Sequence, residues 1–338
     1  MWVKSMLETQ ATFPNLFNSD AVLKSDFLDE RAAGPGTSVN IPYLKDITDQ
    51  NDEIQVEDTA PTVDNGAPGD VQNFPLLNRV TKNSVTALSV QVSGADPVGR
   101  IISSMVMRRL KQRQKTFVAM LRGLFGTAGA ANVAAPLSAV RLGGTVNEPF
   151  TESGNGATDA QLIDSDKFID TCTLLGELSE DIANGGCILC HPNVRARLQK
   201  IDSQSFALVI LKSQVPYKLT TYRDIPLFVS NALVRAGTNN GFVYDTYILS
   251  KDAVGYGEKP QASDVKDVAS LSYFYDRDKN NDLIYDRTRF LMGVDGTKWV
   301  GNPAGQSATN AELQTIANWQ LLYQSADRCG IAVIRTNG

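Results

Sequence analysis

Histidine is almost missing from this chain: His191 stands alone among 338 residues, accompanied by only four cysteines, Cys172, Cys187, Cys190 and Cys329. A structural zinc centre takes four nitrogen, sulfur or carboxylate ligands, so this supply offers no paired set beyond one short stretch. Four cysteines in a chain of this length also make no disulfide framework, and they read as small buried hydrophobes kept reduced. Long apolar runs are absent too. None approaches the ~20 residues that a membrane span requires, and the start, Met1-Trp2-Val3-Lys4-Ser5-Met6-Leu7-Glu8, lacks the apolar core of a secretory signal. A protein made and used in a cytosol, without a membrane partner, is expected. Neither a G-x-S-x-G elbow nor a phosphate-binding glycine loop occurs, which leaves serine-nucleophile and nucleotide chemistry without support. A net charge of −5 gives no bulk signature of nucleic-acid binding.

Two motifs that are present fail when read in full. Cys187-Ile188-Leu189-Cys190-His191 matches the C-x-x-C-H pattern of covalent haem attachment, yet it ends an apolar strand in a chain without an export signal. Asp276-Arg277-Asp278-Lys279-Asn280-Asn281-Asp282 reproduces the first oxygens of a calcium loop. Its sharp-turn position holds Asn281 instead of glycine, and its bidentate-acid position holds Arg287, so it reads as a polar hairpin tip. No cofactor, no metal and no catalytic residue are expected.

What the sequence does contain is a strong partition of charge. Between Asp46 and Asp70 lie eight acids with no lysine or arginine, and Pro61, Gly66, Pro68 and Gly69 discourage regular structure there. A protruding acidic loop or long hairpin fits, with Asp49, Asp52, Glu53, Glu57, Asp58 and Asp64 as candidate contact residues. Asp96-Pro97 then makes a strong helix start, and apolar residues at Val98, Ile101, Ile102, Met105, Leu110, Phe117, Leu121 and Leu124 hold helical spacing until Gly126. This predicts a rod of about 45 Å. It carries Arg100, Arg108, Arg109, Lys111, Arg113, Lys115 and Arg122 and no acid. Besides a solvated face, such a helix suits either sequence-independent contact with nucleic-acid phosphates or docking of an acidic loop from a neighbouring copy.

The remainder alternates between helix and strand. Residues 1–33 read as an extended arm ended by Gly34-Pro35-Gly36, and Val39-Asn40-Ile41-Pro42-Tyr43 as a short strand. Leu88, Val90 and Val92 suggest a returning strand, and another is expected near Val140 and Leu142. Ser165 is placed to cap a helix with Phe168, Cys172, Leu175 and Ile182 on one face, ended by Gly185-Gly186 before the strand Cys187–Cys190. A helix from His191-Pro192-Asn193 follows, then strands at 225–229, 242–244 and 247–249. The runs 271–275, 283–292 and 330–335 are expected to complete a sheet around the long helix.

This order, with Gly36-Thr37-Ser38-Val39-Asn40-Ile41-Pro42-Tyr43, Phe168-Ile169-Asp170, Leu175-Gly176-Glu177, Ile188-Leu189-Cys190-His191-Pro192-Asn193-Val194, Ile225-Pro226-Leu227-Phe228-Val229-Ser230, Tyr247-Ile248-Leu249, Ala253-Val254-Gly255 and Asn318-Trp319, resembles the major capsid proteins of tailed bacteriophages. The resemblance spans about residues 36–335 and implies an α+β, Hong Kong 97-like capsid fold. In that frame residues 1–40 are an N-terminal arm, 41–92 an extended acidic loop, and 93–156 a peripheral domain with its spine helix at 96–126. Residues 157–256 are then an α/β axial domain, and 257–338 return to the peripheral domain. It further implies a homo-oligomer of pentamers and hexamers, an icosahedral head around double-stranded DNA held non-specifically, and scaffolding, portal and decoration proteins as partners. The location implied is the virion, after assembly in the cytoplasm of a host bacterium. No scaffolding segment is recognised ahead of the arm, and no covalent crosslink is expected. The alternatives are an encapsulin-like shell around protein cargo, a hydrolase of unknown type, and a monomeric DNA-binding module.

Overall fold

A computed structural model describes residues 16–44, 69–86, 97–126, 135–142, 161–211, 217–236, 242–262, 266–303, 307–322 and 326–337. Two sheets flank one long helix. The strands, in chain order, are β1 (Val22–Lys24), β2 (Ser38–Leu44), β3 (Gly69–Thr86), β4 (Val140–Leu142), β5 (Cys187–Cys190), β6 (Phe206–Leu211), β7 (Tyr217–Tyr222) and β8 (Ile225–Val229). They continue with β9 (Val234–Ala236), β10 (Phe242–Leu249), β11 (Val254–Glu258), β12 (Leu271–Asp276), β13 (Asn281–Val294), β14 (Thr297–Trp299), β15 (Trp319–Leu321) and β16 (Ile331–Thr336).

The first sheet runs β1-β11-β13-β3-β2, with β12 on the far side of part of β13. Its axis is the antiparallel pair β3 and β13, joined from Leu76 opposite Leu291 out to Thr86 opposite Asn281. At about 3.4 Å per residue the 18 residues of β3 reach roughly 60 Å, far more than a compact core can cover. Burial accordingly fades along it, from a buried run at Phe74–Leu77 to alternating exposure beyond Arg79. β2 pairs β3 from Ser38 opposite Pro75 to Leu44 opposite Gly69, so the acidic segment is strung between the ends of these two strands. The segment itself, residues 45–68, lies outside the described residues, as does the strand expected at Leu88–Val92.

The helix Pro97–Phe125 matches the expected rod closely. Gly126 adopts φ +67°, the left-handed conformation that ends helices and that glycine enters without a Cβ clash. Its two halves meet different surroundings. Ile102, Met105 and Val106 pack on Leu271 and Ile284 of the first sheet. From Phe117 to Phe125 the helix enters the main core, where Phe117, Leu121, Leu124 and Phe125 are fully buried.

The second sheet runs β4-β16-β10-β5-β8-β7-β6, with β9 beside the start of β10. β5 is buried at all four residues because it is flanked by strands on both edges and covered on both faces. Three strands do not follow the boundaries read from sequence. β4 and β16, expected with the peripheral part, pair with each other in this second sheet, where the other edge of β16 pairs β10. β11, which the expected boundary at 256 would cut, pairs whole with β1 and β13 in the first. Pairing partners are chosen by buried area across the fold, which local pattern does not encode.

Two further expectations change in detail. The helix capped near Ser165 is capped by Asp164, whose side chain accepts from the Lys167 backbone N–H at 2.7 Å, and it stops at Thr173. Gly176 at φ +54° turns the chain there, and a short helix, Ser179–Ala183, carries Ile182 back to the core. Residues 16–33 of the N-terminal stretch are also less extended than expected. Within it Leu16 and Phe17 are buried, β1 adds to the first sheet, and the helix Asp26–Ala33 lays Leu28 over Gly255 and Gly257 of β11. A side chain at Gly257 would collide with Leu28, so the glycine is what lets this helix sit so close.

Candidate assembly surface

The seven cations of the long helix divide by helical phase. Arg109 and Arg113, four residues apart, point at the first sheet: Arg109 lies 2.5 Å from Asp286 Oδ1 and donates to Gln261 Oε1 at 2.7 Å. Arg113 pairs with Glu258, and its guanidinium lies over the rings of Tyr256 and Phe290 at 5.8 and 5.7 Å. Arg122 faces the second sheet, 3.5 Å from Asp245 Oδ2, and donates to the carbonyl oxygens of Ala232 and Val234 at 2.9 and 3.2 Å. These three are internal fasteners, so the seven candidate cations of the helix do not share one role. A helix turning 3.6 residues per turn cannot present every position to solvent, and the charges on its packed faces need carboxylates to offset desolvation.

Arg108, Lys111 and Lys115 form the exposed remainder, on one stripe with Ser104, Met107 and Gln112. The Arg100 side chain is outside the described residues, as are Asp49, Asp52, Glu53, Glu57, Asp58 and Asp64. Asp70, the last acid of the run, lies 3.7 Å from Lys298 of its own chain.

Sequence reasoning missed a second feature, on the outer reach of the first sheet. Val80, Phe274 and Tyr275 are exposed there, Phe274 meets Tyr285 edge to face at 5.9 Å, and Lys82 and Arg287 lie 5.5 and 5.2 Å from the Tyr285 ring. Exposed aromatic surface stacked with cations is a common component of protein interfaces. Only the side-by-side register of β3, β13 and β12 collects these residues, so no spacing in the sequence could have shown them.

Residues of both chemical motifs are engaged in local structure. Asp276 Oδ1 accepts from the backbone N–H groups of Asp278 and Lys279 at 3.2 and 3.4 Å, a turn bond that occupies the first calcium-type oxygen. His191 Nδ1 accepts from the Asn193 N–H at 3.2 Å and caps the helix Pro192–Ile201. Cys187 and Cys190 are buried in β5, where burial pushes each thiol up to about 12. At neutral pH both are expected to resist a water-soluble thiol reagent in the native protein and to react after unfolding. Rapid labelling of either in the folded state, read by mass spectrometry, would contradict this placement. No helix among the described residues is long and apolar enough to cross a membrane.

No family model matches the chain. Over 323 residues it is 24% identical to the major capsid protein of Bacillus phage SPP1, covering 94% of this chain and 90% of that one. Its structure superposes on the capsid of Ralstonia phage GP4 with a TM-score of 0.57 at 10% identity, covering 96% and 91% of the two chains. The capsid of cyanophage Pam1 gives a TM-score of 0.54 at 10% identity over 95% and 90%. The chain therefore has the α+β, Hong Kong 97-type fold of shell-building capsid subunits. Its resemblance to the major capsid proteins of tailed phages holds in sequence as well as in fold.

Proposed function

We propose that this chain is a major capsid protein, a structural subunit whose copies assemble into the icosahedral head of a tailed phage. The observation that carries the reading is likeness along almost the whole chain to a phage major capsid protein, together with the capsid fold over the same span. Pentamers and hexamers of the subunit build the shell. Asp49, Asp52, Glu53, Glu57, Asp58 and Asp64, strung between β2 and β3, meet cations on a neighbouring copy, where opposite charges set the register and speed the encounter. Arg108, Lys111 and Lys115 are the described helix cations free of the subunit's own core, and they serve either that contact or packaged double-stranded DNA. Scaffolding, portal and decoration proteins are further partners. The finished protein resides in the virion after assembly in the host bacterial cytoplasm.

Negative-stain microscopy of the purified full chain tests this, with light scattering for particle size. Uniform hollow particles are expected. Converting the six loop acids together to their amides should leave circular dichroism unchanged while cutting the yield of particles, and raised salt should weaken assembly in the same direction. A chain that stays monomeric even with portal and scaffold partners present would refute the assignment.

A further inference from the structure

Between the long helix and the outer part of the first sheet lies a cavity of about 200 Å³. Four arginines line it: Arg79 from β3, and Arg108, Arg109 and Arg113 from the helix. Asp286 is the one carboxylate among the lining residues. Asp286 offsets Arg109, and Glu258, just beyond the cavity, offsets Arg113. Arg79 has only neutral acceptors among the described residues: the carbonyl oxygens of Asn78 and Ala308, Ser307 Oγ and Asn310 Oδ1, at 2.7 to 3.5 Å. Burial without a carboxylate lowers the Arg79 pKa. Arg108 is exposed at the rim and makes no ion pair among the described residues. The walls thus hold an excess of two positive charges.

Arg109 and Arg113 are 6% and 2% exposed, and the buried Nε–H of each has no acceptor. These nitrogens are sealed from solvent, and the same shortfall recurs at Arg122 outside the cavity, so the case for a ligand rests on the charge left uncompensated at Arg79 and Arg108. At about 30 Å³ per water the space would take six or seven molecules, which suits a compact tetrahedral anion with some water. Guanidinium groups match phosphate oxygens in pairs, and a phosphate monoester carries close to two negative charges at neutral pH.

The geometry points to this cavity as a binding site for a dianionic oxyanion, inorganic phosphate or the terminal phosphate of a monoester, held between Arg79 on the sheet and Arg108, Arg109 and Arg113 on the helix. A bound dianion would neutralise the excess charge and tie helix to sheet. The inference concerns the single subunit and stands whether or not shells form.

Calorimetric titration of the full-length protein with inorganic phosphate, at constant ionic strength, tests it, with a nucleoside monophosphate as the second probe. Saturable binding near one phosphate per subunit is expected, with a rise in melting temperature. Arg108→Gln should weaken binding about tenfold, the loss of one charge-assisted bond, while circular dichroism stays unchanged. Arg79→Gln should weaken it comparably, and Lys200→Gln, on an exposed helix elsewhere, should not. Tighter binding of the nucleotide would mark a monoester as the natural source, and equal or weaker binding would mark the free ion. Three results overturn the proposal: no saturable phosphate binding, binding indifferent to both arginine substitutions, or a synthetic peptide of residues 46–70 that binds in an Arg108-dependent way when phosphate does not. The last would assign the cavity to an acidic segment of a second copy.

Discussion

Replacing Asp245 with alanine is expected to cost roughly 3–5 kcal/mol, the range found when one partner of a buried ion pair is removed. Asp245 is 1% exposed in β10, and three guanidinium groups converge on it: Arg335 Nε at 3.4 Å, Arg122 Nε at 3.5 Å and Arg235 Nε at 3.7 Å. Each arginine comes from a different element, the last strand, the long helix and β9, so this one carboxylate joins helix and sheet. Arg335 also donates to the carbonyl oxygens of Phe125 and Gly126 at 3.4 and 2.5 Å, a cation at the negative end of the helix. Desolvation lowers the Arg335 pKa and Asp245 raises it, so without the carboxylate the buried cation loses its main compensation. Urea unfolding followed by tryptophan fluorescence would read the loss, and a change below about 1 kcal/mol would show that the cluster does not depend on Asp245. Replacing all four residues by apolar ones of similar volume should be far less damaging than the single substitution, because no orphaned charge would remain.

Gly123→Ala is expected to destabilise the protein although alanine is the better helix former by about 1 kcal/mol. Gly123 sits in the last turn of the long helix, where an added Cβ would meet the Leu313 carbonyl oxygen and approach Trp319 Nε1 to 2.7 Å. That indole N–H donates to the same Leu313 oxygen at 2.8 Å, and Trp319 packs against Trp299 at 4.9 Å. Moving the helix away would break the hydrogen bond and the aromatic contact together. Overpacking of this kind costs roughly 1–3 kcal/mol, with about 1 more for the bond. A lower melting temperature and an altered near-ultraviolet spectrum are expected, whereas Lys111→Ala on the exposed stripe should stay within about 0.5 kcal/mol. A Gly123→Ala protein as stable as the parent would mean that the packing drawn here is wrong.

The long helix shows how much of the molecule was legible beforehand. Asp96-Pro97, the apolar spacing from Val98 to Leu124 and Gly126 mark both ends within a residue, because start and stop signals act locally. β5 was equally plain, since an apolar run bounded by Gly186 and Pro192 has few other uses. The charge partition was visible too, but not the division of labour within it. Arg109 and Lys111 look alike in a string of letters. Packing alone made the first a buried partner of Asp286 and left the second in solvent.

Periodicity, punctuation and charge by themselves determined the rod, the alternation of helix and strand and the separation of an acidic stretch from a basic one, and the α+β class came with the family resemblance. These follow from interactions between residues a few positions apart. The assignment of β4, β11 and β16 to their sheets, the Asp245 cluster and the arginine-lined cavity were decided only by the tertiary structure. Each depends on residues far apart in the chain, 90 positions for Asp245 and Arg335 and 177 for Arg109 and Asp286, and such pairs are selected by burial and charge compensation in three dimensions.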